Sequence, residues 1–131
     1  VIQKVDKEDI RSVMKQEKMI YDIEPADAVF GAVGEGIAPT NTVSHAQSLA
    51  LAKRAAIADA HRQLAEKLYG VKINSKDTVR DAMLRDSTIT AQVAGLIKNA
   101  SIVEHDFKDG LYRVRMEMKI DQSKWQEIFA Y

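Results

Sequence analysis

Residues 28–70 read AVFGAVGEGIAPTNTVSHAQSLALAKRAAIADAHRQLAEKLYG, a glycine-stepped apolar run feeding one long alanine-rich segment. No other feature constrains the fold as much. Residues 28–36 read as a strand in which Gly31, Ala32, Gly34 and Gly36 carry almost no side-chain bulk, and Pro39 closes it. Thr40, Asn41, Thr42 and Ser44 then supply helix-capping oxygens, with Asn41 or Ser44 the best placed. The helix is expected to run to about Tyr69, with Gly70 as its left-handed terminator. Eight alanines fall within it (46, 50, 52, 55, 56, 58, 60 and 65). Leu49, Ala56, Ile57, Ala60, Leu64 and Leu68 form its expected buried face. Small residues on a helix and glycines on the facing strand both let two backbones approach closely, so the two features answer each other.

A strand, a glycine loop and a helix in that order can also cradle a phosphate. The spacing here, Gly31-x-x-Gly34-x-Gly36, is not the dinucleotide fingerprint, and the helix opens well after the last glycine. No Gly-Lys-Ser/Thr follows to hold a triphosphate and its magnesium. Close packing is the reading that remains.

At 131 residues the chain is sized for one domain. Its 19 basic and 19 acidic residues cancel, which argues against a nucleic-acid partner, since such binders concentrate a basic excess on one face. Cysteine is absent, so disulfides, thiolate metal sites and cysteine nucleophiles are excluded within the chain. The first residue is Val1 rather than Met, as expected if an upstream signal or anchor was removed or a longer chain was trimmed.

Residues 1–24 are dense in charge, with a thin apolar stripe of Val5, Ile10, Val13, Met14 and Ile20. They read as a helical arm that packs on a neighbouring copy or leads to an anchor, and a solvated leader fits the same composition. Pro25 separates this arm from a single domain over residues 25–131. After the long helix, Val71 and Ile73 begin an alternation that Thr78 and Val79 continue as a strand. Residues 87–99 read as a helix capped by Ser87, with Ile89, Val93, Leu96 and Ile97 on one face. Asp109-Gly110 marks a two-residue type I′ hairpin. Counting outward from it pairs Lys108 with Leu111, Phe107 with Tyr112, His105 with Val114 and Val103 with Met116. On the other face Asp106 opposes Arg113 and Glu104 opposes Arg115, opposite charges directly across the ladder. A short terminal helix follows, capped by Asp121 or Ser123, with Trp125, Ile128 and Phe129 at helical spacing. This aromatic cluster seals the domain or meets a partner, and sealing is the favoured role.

No catalytic motif emerges. His45 and His61 are sixteen residues apart, roughly 24 Å along a helix, too far to share a metal within one subunit. His105 falls on the apolar face of the hairpin and reads as a partly buried, hydrogen-bonded core histidine. Tyr69, Phe107 and Tyr112 stand at core spacing, although three aromatics can also line a small ligand site. The chain is therefore expected to be no enzyme, with no cofactor, catalytic residue or metal ligand of its own.

Residues 28–120 resemble the family of small bacterial outer-membrane lipoproteins that includes the flagellar protein FlgP. The likeness rests on VGEG at residues 33–36, the helix ending over residues 52–71, Thr78-Val79, the segment around Gly95, and Asp109-Gly110-Leu111-Tyr112-x-Val114. LAEKLYGVKINSKDTV, residues 64–79, is most similar to the epsilon-proteobacterial type. The resemblance implies a long helix on a small antiparallel sheet, an α+β fold of β-α-β-α-β-β order like dodecin and SHS2 domains. It also implies a lipid-anchored subunit at the periplasmic face of the outer membrane, multimerising into a ring or basal disc with other flagellar motor accessory proteins. The lipid-acceptor cysteine of that family has no counterpart here and would lie upstream of Val1. The expected interface between copies is Glu104, Asp106, Arg113 and Arg115, with Trp125 and Phe129 behind them, and a solvated face with internal ion pairs is the alternative for the four charges. Two other functions stay open: a dodecin-like oligomer binding a small ligand, and an outer-membrane antigen or adhesin unrelated to the motor.

Overall fold

A computed structural model of the chain describes residues 27–129. The arm expected over residues 1–24 lies outside them. The elements run β1 (Asp27–Ile37), α1 (His45–Tyr69), α2 (Val79–Arg85), α3 (Ser87–Lys98), β2 (Ser101–Lys108), β3 (Leu111–Asp121) and α4 (Gln122–Phe129). The class is α+β: three antiparallel strands in the order β1-β3-β2, with α1 laid on one face.

The close approach read from glycine and alanine is present. Ala52, Ala56, Ala60, Leu64 and Leu68 are the buried residues of α1, a strict four-residue ladder. Four helical residues rise about 6 Å and two strand residues about 6.8 Å, so each step of the ladder meets every second residue of β1. A methyl group on Gly34 would strike the carbonyl oxygen of Ala56, and one on Gly36 would strike that of Ala52 and stand 2.7 Å from the amide nitrogen of Ala56. Neither atom can yield, because both belong to helix backbone. Leu49 and Ile57 are only half-buried at the margin of this contact.

Ser44 caps α1, its hydroxyl accepting the Gln47 amide at 3.1 Å. Gly70 ends it in a right-handed conformation, φ −83°, not the left-handed one expected. The Gly70 amide bonds to the Leu68 carbonyl, a tight final turn that needs no positive φ.

The strand expected between the long helix and residue 83 does not form. Only an isolated bridge joins Lys72 to Thr78. Asn74 Oδ1 accepts the amides of Lys76 and Asp77, both at 2.8 Å, folding the chain into a tight turn. Thr78 and Asp81 then form a reciprocal capping box that starts α2. The observed order is thus β-α-α-α-β-β-α. Asp86, not Ser87, caps α3, its Oδ1 accepting the Thr88 amide at 2.9 Å. Ile89, Val93 and Ile97 are buried as the periodicity required.

Asp109 and Gly110 adopt φ values of 54° and 79°, the left-handed pair of a type I′ turn. The register follows the counted one from Lys108–Leu111 through Glu104–Arg115, then shifts. A β-bulge inserts Val103, so that Ile102 rather than Val103 pairs with Met116. Tyr112, Val114, Met116, Met118 and Ile120 of β3 are buried beneath the helices, and Trp125, Ile128 and Phe129 join the same core. The Trp125 and Phe129 rings pack with centroids 4.6 Å apart and planes tilted by 51°, and Asp121 caps α4 through the Lys124 amide at 2.6 Å.

Candidate functional site: the open sheet face and its two edges

All the described helices that pack on the sheet share one core with its inner residues Ala32, Tyr112, Val114, Met116, Met118 and Ile120. The outer residues alternate with these along each strand. No described element covers that outer face. Its β1 column carries Val29, Val33 and Ile37, which stand 58%, 41% and 78% exposed. The β3 and β2 columns carry charge. The registers set Glu35, Arg113 and Asp106 in one row and Val33, Arg115 and Glu104 in the next.

Glu104, Asp106, Arg113 and Arg115, the four charged residues singled out from the hairpin count, therefore stand together on this face. They are also partly paired within the chain. Arg115 meets Glu104 at 3.1 Å and Glu117 at 3.4 Å, and Arg113 meets Glu35 at 3.6 Å. All are solvent-exposed pairs, each worth about 0–1 kcal/mol. Trp125 and Phe129 do not join them. At 1% and 4% exposure they are spent sealing the chain's own core, which leaves them no surface to offer a neighbour.

The two edges of the sheet differ. The Ala38 amide reaches across to the Gly110 carbonyl at 2.8 Å, so even-numbered β1 residues turn their backbone toward β3 and odd-numbered ones turn it outward. Three of those outward groups are taken by α1. Asp59 Oδ2 accepts the Glu35 amide at 3.0 Å, Gln63 Nε2 donates to the Val33 carbonyl at 2.7 Å, and Lys67 Nζ donates to the Gly31 carbonyl. Residues 59, 63 and 67 repeat the four-against-two match one helix row away from the alanine ladder. Asp59 is held by Arg62 at 2.8 Å and by Gln63 at 3.1 Å. The Arg62 guanidinium foremost, with the Glu35 amide, lowers its carboxyl below the ordinary value of 3.8.

At the opposite edge, Lys108 and Leu111 close the hairpin as a bonded pair, so His105 and Phe107 turn their backbone away from β3. No described side chain bonds to either. Every residue of β2 is exposed except the half-buried Phe107, and Ile102 and Val103 present apolar surface at 39% and 41% exposure. The sequence reasoning missed this asymmetry. Its signal was the polar triplet Asp59, Gln63 and Lys67 at i, i+4, i+8, set beside the alanine stripe.

The remaining candidates separate in space. His45 sits edge-on to Phe107 at 6.3 Å, Phe107 lies 6.0 Å from Tyr112, and Tyr112 stacks on His105 with its hydroxyl 3.0 Å from Nδ1. His105 is hydrogen-bonded as expected but exposed rather than partly buried, because β2 projects past the edge of α1. Tyr69 lies at the far end of α1, about 36 Å from His45 along the axis, under the Arg80 guanidinium at 5.5 Å. The three aromatics weighed as a ligand site thus do not converge. Among the described residues, no three His, Asp or Glu cluster in a way that could hold a metal, and no helix is long and apolar enough to cross a membrane.

What the fold and face define is a two-layer α+β domain in which, among the described residues, one sheet surface and one sheet edge are left open. No protein-family model matches the chain, and no curated protein matches it.

Proposed function

We propose that this chain is a non-enzymatic structural subunit that repeats, copy against copy, in a ring or disc. Its place would be the bacterial flagellar motor at the periplasmic face of the outer membrane. The observation that carries the assembly is the sheet face that no described element covers, with its rows of alternating charge. The chain as a whole has zero formal net charge, which leaves no long-range repulsion between copies. Identical subunits meeting through different patches close into rings when the rotation allows it. Support for the motor, for accessory motor proteins as neighbours and for a lipid anchor upstream of Val1 comes from the FlgP-like residues. In the same reading the strand β1, the long helix α1 and the β2–β3 hairpin form a dodecin- or SHS2-like unit.

Deleting the gene and timing swimming through viscous medium tests the motor role. Loss of high-load motility with the purified protein forming large uniform particles is the expected pair of results. Normal swimming would remove the motor from the reading.

A second reading rests on the row His45–Phe107–Tyr112–His105 at the hairpin edge. Stacked rings at an open edge suit a small planar ligand shared between copies. A protein that purifies with visible or near-ultraviolet absorbance beyond that of its Trp and Tyr would favour this reading, and a colourless one would discard it.

A further inference from the structure

We infer that the free edge of β2 is a seam between two copies of this chain, joined as antiparallel β2 strands with Asp106 on the two-fold axis. The inference rests on the assembly reading above and names the contact it uses.

Three observations lead to it. The sheet has two edges, and α1 covers only that of β1, through Asp59, Gln63 and Lys67. At the other edge His105 and Phe107 turn peptide groups outward with no described partner, the arrangement that accepts a further strand. The third observation is charge. With His105 of one copy opposite Phe107 of the other, both are outward-turned residues, so their peptide groups meet and the ladder closes. That register sets Glu104 opposite Lys108 of the other copy, twice by symmetry. Shifting the strands by one pairing step, to bring His105 opposite His105, would instead set Glu104 against Asp106 twice, four carboxylates in contact. The opposite step, Phe107 opposite Phe107, leaves only residues 106–108 of each strand paired because β2 ends at Lys108. In the favoured register one acidic pair remains, at Asp106, and each of its members is backed by Arg113 on β3. The row Arg115–Glu104 then continues into Lys108 of the other copy, charges alternating across the seam.

The test uses the full chain and two charge-reversed variants, Glu104→Lys and Lys108→Glu, with mass in solution followed by sedimentation against concentration. Each variant alone places like charges at both off-axis positions. Association is expected to weaken about tenfold, in keeping with two cross-strand pairs turned from attraction to repulsion. An equimolar mixture of the two restores a Lys–Glu pair at both positions, so the mixture should associate like the unaltered chain. That recovery also shows that both variants are folded. Amide exchange of His105 and Phe107 should slow as concentration rises. If the unaltered chain associates and the variants do so equally well, the seam is wrong while the assembly stands. If the variants separate and their mixture does not recover, this register is overturned. An unaltered chain that stays single at every concentration overturns both the seam and the assembly.

Discussion

The edges of one small sheet are finished in opposite ways. β1 is met by a helix that comes so close that glycine is required at positions 34 and 36, and the same helix reaches past the contact to bond three outward peptide groups of the strand. β2 has neither. It extends beyond α1, carries a bulge at Val103, and leaves its outward peptide groups without a described partner. The difference teaches that edge protection here is a by-product of close packing. A helix held at ordinary distance by larger residues would set Asp59, Gln63 and Lys67 too far out to bond the strand.

Removing the glycines breaks the comparison most severely. Gly34→Ala or Gly36→Ala forces a methyl group into the helix backbone, and α1 must lift away or tilt. Each is expected to cost about 3 kcal/mol, the upper range for overpacking, and the pair together to unfold the domain. Urea denaturation measures the loss. Exchange of the Glu35 amide should rise with it, because the cap moves off with the helix.

Stripping the cap while keeping the contact makes the β1 edge resemble that of β2. The triple variant Asp59→Ala, Gln63→Ala, Lys67→Ala should lose about 1–2 kcal/mol, the three bonds being modest and partly solvent-screened. The chain should also become more prone to associate through β1, giving irregular particles in light scattering. Unchanged stability and unchanged particle size would mean that the edge bonds do nothing.

Acid removes one third of the cap without mutation. The folded pKa of Asp59 is lowered, chiefly by Arg62, from an ordinary value of 3.8. Its contribution is therefore present above about pH 4 and is lost as pH falls through the lower folded value. Asp59→Asn keeps an acceptor for the Glu35 amide but does not titrate. Between pH 5 and pH 2 the unaltered chain should lose more stability than this variant. Comparing the two cancels the other carboxylates, including Asp77, which Arg85 also holds below its ordinary value.

How far these features were legible in the sequence depends on their range. The glycine–alanine match, the Ser44 cap and the hairpin with its outer charge rows are written in local spacing and composition, and the structure keeps all of them. The supposed strand over residues 71–79 was misread because its alternating residues flank a tight turn. Thr78-x-x-Asp81 was the helix-start signal there, and it outweighs a four-residue apolar alternation. The bulge at Val103 carries no local mark, since Ile102 and Val103 are equally suited to pairing with Met116. Trp125 and Phe129 could be placed on a helix from spacing, but only the packed core decides that their rings face inward. The edge cap lay furthest from view, since it joins residues more than twenty positions apart.

The smallest effect gives the sharpest control on the comparison. Gly31 lies on β1 like Gly34, three residues earlier, yet its missing side chain would point to the open face. A methyl group there meets nothing closer than the Met116 carbonyl at 3.9 Å, and the Gly31 carbonyl remains free to accept Lys67. Alanine at this position restricts the unfolded chain and crowds nothing, so Gly31→Ala should be neutral or raise stability by up to about 0.5–1 kcal/mol. Thermal unfolding of Gly31→Ala beside Gly34→Ala then separates two meanings of glycine on a single strand. If both variants fell by similar amounts, conformational freedom rather than helix contact would account for the glycines. The capped edge would then lose its explanation in close approach.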